Sequence, residues 1–134
     1  MKKIEHIGIA VNSLEEASVI YEKLLGSAAY KHEQVVNEGV NTAFFKNGPN
    51  KIELLEAVNK ESPIAKFIAK KGEGIHHIAF EVEDIVAEIA RLKKEGFVIL
   101  NNEVPQKGAD NKWVAFVHPK NTNGVLIELC QEIR

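Results

Sequence analysis

Four residues have the types and spacing to hold a metal: His6 and Glu53, then His77 and Glu128. Two imidazole nitrogens and two carboxylate oxygens suit a borderline divalent cation such as cobalt, nickel, manganese, iron or zinc. One histidine or glutamate in a strand is ordinarily solvated or hydrogen-bonded, so the set gains meaning only from its repetition. His6 stands in Ile4-Glu5-His6-Ile7-Gly8-Ile9-Ala10-Val11, which overlays Ile75-His76-His77-Ile78-Ala79-Phe80-Glu81-Val82, histidine on histidine and apolar on apolar. Glu53 in Lys51-Ile52-Glu53-Leu54-Leu55 pairs in the same way with Glu128 in Leu126-Ile127-Glu128-Leu129-Cys130. The other explanation of such a pattern is a duplicated scaffold that keeps polar residues at a binding cleft without a metal.

The elements around these residues repeat as well. After each histidine strand comes a helix N-cap, Ser13 or Asp84. Helical spacing follows, Leu14, Ala17, Tyr21 and Leu24 in one copy and Ile85, Ile89 and Leu92 in the other. Gly26 and Gly96 stand where helices prefer to end. Residues 41–46 and 112–117 read as strands, and turn residues separate each from its closing strand. Strand alternation puts Ile52, Leu54, Ile127 and Leu129 on one face and both glutamates on the other. Alternation also sends His76 away from His77, and the repeat selects His77. A pseudo-twofold then brings one His and one Glu from each copy into a bowl. The expected fold is α+β, two tandem βαβββ modules forming a curved mixed sheet around a metal site. It is one domain, with modules at about 1–59 and about 74–134 and a linking helix at about 62–71, opened by Ser62 and Pro63.

Bulk properties narrow the function. At 134 residues, 45% hydrophobic and 27% charged, the chain has the make-up of an ordinary globular domain. A formal net charge of −2 without like-charge blocks argues against a general nucleic-acid binder and gives no footprint for a membrane surface. The one cysteine, Cys130, cannot form an intramolecular disulfide and suits a reducing compartment. The start of the chain lacks a signal-peptide core, and no apolar run reaches the ~20 residues of a membrane span. A cytoplasmic protein is expected.

These motifs resemble the vicinal-oxygen-chelate (glyoxalase-bleomycin resistance) superfamily and, within it, the methylmalonyl-CoA epimerase family along nearly the whole chain. The stretches that carry the resemblance are residues 6–11, 51–56, Ser62-Pro63-Ile64-Ala65-Lys66-Phe67, 72–80, His118-Pro119-Lys120 and 124–129. The resemblance implies metal ligands at His6, Glu53, His77 and Glu128. It implies one divalent metal, cobalt first, with manganese, nickel or zinc as alternatives. The implied activity is interconversion of (R)- and (S)-methylmalonyl-CoA through α-proton removal and return by way of a metal-stabilised enolate. An acyl-CoA substrate and a homodimer are also implied, with no nucleic-acid or membrane partner.

Glu128 is the first base by the same resemblance. The second is a Glu shortly before a Gly-Val, and here Val35-Val36-Asn37-Glu38-Gly39-Val40 puts Asn37 at the usual place and Glu38 beside the glycine. Glu38 is the candidate, against a solvated loop carboxylate. Lys112 and Lys120 are candidate surface contacts for coenzyme A phosphates, and Trp113 is either partial core or a ligand contact. A glyoxalase I-type lactoylglutathione lyase and a non-catalytic small-molecule binding or resistance protein are the competing functions.

Overall fold

A computed structural model describes residues 1–101 and 103–134. The element order is β1 (Lys3–Ala10), α1 (Leu14–Leu25), β2 (Lys31–Val35), β3 (Val40–Asn47), β4 (Asn50–Ala57), α2 (Pro63–Lys71), β5 (Gly74–Glu81), α3 (Ile85–Lys94), β6 (Gln106–Gly108), β7 (Lys112–Val117) and β8 (Leu126–Glu132). Around α2 the chain therefore runs βαβββ twice, as the repeat predicts. By contacts it divides into two compact units, His6–His76 and Met1–Glu5 with His77–Arg134.

In the first unit the strand order is β2-β3-β4-β1, with β1 parallel to β4 and the other pairs antiparallel. The helix α1 starts at Ser13, whose hydroxyl accepts the Glu16 N–H at 3.2 Å, and ends at Gly26 in the left-handed region. Its inward stripe is Leu14, Ala17, Tyr21 and Leu25, packed on Ala43, Phe45 and Leu54. Leu24, counted on that stripe from its spacing, is 70% exposed. A helix advances 100° per residue, so a shift of one position turns a side chain off a narrow stripe. Ser62 and Pro63 open α2 as expected, the Ser62 hydroxyl accepting the Ile64 N–H.

The second unit repeats the plan in the order β5-β8-β7-β6, with β5 parallel to β8. Asp84 caps α3 through the Ala87 N–H at 3.1 Å. Ile85, Ile89 and Leu92 are buried against Ala115, Val117 and Leu129. The Lys2 N–H donates to the Glu81 carbonyl at 2.8 Å, tying the first residues to the end of β5. In each unit the helix covers one sheet face, and the other face carries the histidine and glutamate. Among the described residues no helix is long and apolar enough to cross a membrane.

Candidate metal centre

Strand register explains how each pair meets. In the first unit His6 stands opposite Lys51, and Glu53, two residues on, stands opposite Gly8. In the second, His77 stands opposite Leu126 and Glu128 opposite Ala79. Histidine and glutamate are thus diagonal neighbours on one face. The residue beside each glutamate is small, Gly8 or Ala79, which leaves room for the imidazole to lean over the carboxylate. Nε2 of His6 lies 3.2 Å from Oε1 of Glu53, and Nε2 of His77 lies 3.2 Å from Oε1 of Glu128. All four residues are buried.

On its other flank each glutamate has a phenylalanine: Phe44 is opposite Glu53 and Phe116 opposite Glu128. Phe44 meets the His6 ring edge-on at 6.0 Å, and Phe116 meets His77 in the same way at 6.3 Å. A motif of His, Glu and Phe is therefore built twice. Sequence reading missed the phenylalanines because the antiparallel register, invisible in either segment alone, selects Phe44 rather than Phe45 as the partner of Phe116. It also missed a clamp three residues beyond each glutamate. Glu56 Oε2 accepts the Leu14 N–H at 2.9 Å, and Gln131 Oε1 accepts the Ile85 N–H at 2.7 Å. Each closing strand thereby holds the first turn of its helix, satisfying donors that a helix cannot pair internally.

The donor chemistry fits a metal. Buried carboxylates and imidazoles are costly unless paired or coordinating. Ligand bonds of about 2.1 Å place neighbouring donors on one ion about 3 Å apart, which matches the N–O separation in both pairs.

His76 turns elsewhere, its ring edge-on to Phe67 at 4.9 Å. Glu38 ends a short 3-10 turn, Val36–Glu38, followed by Gly39 at φ +66°. Strand alternation therefore does not govern the Asn37–Glu38 choice; Asn37 is exposed and Glu38 half-buried. A Cβ on Gly39 would sit 3.4 Å from that of Ser62, so this turn presses on the start of α2. Lys112 is no surface lysine: it is 5% exposed, on the face shared with Val114 and Phe116, with Nζ 3.9 Å from Glu132. Trp113, its neighbour, turns to the opposite face and helps line an open cavity of about 330 Å³ with Asp84, Ile85, Val86, Pro105 and Gln131. Cys130 is fully buried beside Ala79 and Val114, and burial pushes its thiol up, with Glu128 and then Glu5 adding to the effect.

Residues 5–116 match the Glyoxalase/Bleomycin resistance protein/Dioxygenase superfamily, and the chain belongs to that family. It has the vicinal-oxygen-chelate fold of tandem βαβββ modules. The chain is 42% identical over 130 residues to the ethylmalonyl-CoA/methylmalonyl-CoA epimerase of Cereibacter sphaeroides, covering 96% of this chain and 97% of that one. It is 41% identical to the human mitochondrial methylmalonyl-CoA epimerase, covering 96% and 73%. Among solved structures, a Streptomyces coelicolor methylmalonyl-CoA epimerase variant in complex with 2-nitronate-propionyl-CoA superposes with a TM-score of 0.94 at 33% identity, covering 98% of this chain and 95% of that one.

Proposed function

We propose that this protein is a methylmalonyl-CoA epimerase that interconverts the (R)- and (S)-thioesters with the help of a divalent metal. The observation that carries this reading is the buried His–Glu pair, made twice in equivalent register, in a chain whose relatives bear that name. One pair supplies two donors, fewer than the three or four protein ligands usual for a catalytic divalent ion. His6, Glu53, His77 and Glu128 therefore act together on one ion, cobalt first and manganese, nickel or zinc as alternatives. When bound, that ion supplies a Lewis acid for the charge that develops on the thioester oxygen.

The chain's own residues handle the proton. The α-hydrogen of methylmalonyl-CoA lies between a thioester and a carboxylate, and inversion requires its removal from one face of the α-carbon and its return to the other. Glu128 and Glu38 take these roles, one carboxylate accepting the C–H proton while the other, as the acid, delivers a proton to the opposite face. Burial of Glu128 next to His77 holds the first of them in place. In this reading the two modules work as a single domain joined by α2, and the enzyme is a cytoplasmic homodimer.

The test is α-deuterium incorporation in D2O from a single stereoisomer of methylmalonyl-CoA, with metal content measured on the same preparation. Exchange well above the uncatalysed rate, dependent on a stoichiometric divalent ion, is expected. Background exchange from metal-loaded protein sinks the epimerase reading, and protein that takes up no divalent ion favours a small-molecule binding role.

A further inference from the structure

The duplication that gives each unit a His–Glu pair breaks down beside it. In the first unit Lys46 and Lys51 face each other across the β3–β4 hairpin. By register they lie on the face that carries His6, Phe44 and Glu53. Like charges directly opposite in an antiparallel pair are destabilising. In the second unit the equivalent register holds Leu126 and His118, the latter turned to accept the Lys120 N–H on Nδ1 at 3.0 Å. The cation pair is thus an addition to the repeat rather than a product of it.

Both ammonium groups gather over one ring. Lys46 Nζ is 4.9 Å and Lys51 Nζ 5.9 Å from the centroid of Tyr30. Tyr30 lies 6.1 Å from Phe44, which lies 6.0 Å from His6. The three rings make a wall from the ligand histidine outward. Tyr30 immediately precedes β2, the strand at the end of the order, so the wall runs from β1 toward that edge. Lys51 starts beside His6 and leans away from it, toward that outer strand.

The geometry points to Lys46, Lys51 and Tyr30 as a subsite for the phosphates of the coenzyme A thioester whose acyl end is held at the His–Glu pairs. The inference rests on the acyl-CoA reading above. The free carboxylate of the malonyl group lies next to the thioester carbonyl and cannot also reach ammonium groups gathered over Tyr30, two ring contacts out from His6. The phosphates, at the far end of the pantetheine arm, can. Two ammonium groups complement a phosphate dianion, and the ring face steadies the cations. A substrate that carries its phosphates at one end only explains why only one of two repeated units carries the lysines.

Epimerisation by the metal-loaded protein should be measured with methylmalonyl-CoA and with methylmalonyl-pantetheine, which has the same acyl group and no phosphate. The double variant Lys46→Gln/Lys51→Gln is expected to raise KM for the CoA ester about tenfold or more with kcat retained. It should also flatten the salt dependence of KM and leave kcat/KM for the pantetheine ester unchanged. Lys46→Arg/Lys51→Arg should restore most of the loss. Equal losses on both thioesters, or an unchanged KM for the CoA ester, overturn the assignment. Lys46 is exposed, so Lys46→Gln alone carries the same expectation, in smaller measure, should the double variant not fold. Calorimetric titration with free coenzyme A separates this inference from the epimerase reading. Binding that the double variant loses supports the subsite even in protein without epimerase activity, whereas no binding, or equal binding by both proteins, overturns it.

Discussion

Glu128→Gln changes one carboxylate oxygen to an amide nitrogen at nearly constant shape. Glu128 is 6% exposed, set between Ala79 and Phe116, with Oε1 3.2 Å from His77 Nε2. An amide cannot accept the α-proton and is a poorer metal donor. Losing a general base costs about 10²–10⁴-fold, and weaker stabilisation of the developing charge costs about 10²–10³-fold. Both act on one step and do not simply add, so kcat should fall about 10³-fold or more. The assay is α-deuterium incorporation from each stereoisomer, read by mass spectrometry, with chiral analysis of the product. Since Glu128 serves in the proposal as both ligand and base, exchange of both isomers should collapse. Glu38→Gln, at a residue outside the ligand set, should slow one isomer more than the other. The metal-free Glu128→Gln protein should melt within about 4 °C of wild type, because losing the imidazole contact is offset by no longer burying a charge. Exchange within tenfold of wild type in folded, metal-loaded Glu128→Gln would refute the assignment.

The adjacent histidines should separate cleanly. His77→Ala is expected to weaken metal binding at least tenfold, by metal analysis after dialysis. His76→Ala should keep the metal and lose the edge contact with Phe67, about 1 kcal/mol or a few degrees in melting temperature; the reverse pattern would move the ligand to His76. Cys130 supplies a pH test. Its thiol is pushed up chiefly by burial and then by Glu128 and Glu5, so the folded state favours the neutral form. That contribution is complete below the unfolded thiol value of about 8.5 and is lost as pH rises from there toward the folded value. Stability should decline on the alkaline side, Cys130→Ala should flatten the decline, and a thiol reagent should label Cys130 only on unfolding. Rapid labelling of the folded protein at neutral pH would contradict the burial.

Much of the scaffold was legible along the chain because the signals are local. Ser13, Ser62 and Asp84 each sit where a helix needs a cap, and each accepts an early N–H in the structure. Alternation placed Ile52 and Leu54 opposite Glu53, and Ile127 and Leu129 opposite Glu128, as the packing shows. Local signals count a turn of helix less well: spacing admits Leu24 to the inward stripe, whereas packing puts Leu25 there. They also misjudged Lys112, whose polarity suggests solvent but whose strand position buries it. Around Glu38 the expected alternation was replaced by a 3-10 turn, because Gly39 admits a left-handed backbone.

The two histidines and two glutamates, their duplication and the faces they occupy were determined by the sequence alone, since a period of two residues and a repeated motif need no knowledge of neighbours. Which groups then touch was decided by tertiary structure. The 3.2 Å His–Glu contacts, the phenylalanines beside them, the Glu56 and Gln131 clamps and the two lysines over Tyr30 all depend on how separate segments pair or pack. Register is a property of two segments at once, and a slip of one residue would turn every one of those side chains to the opposite face.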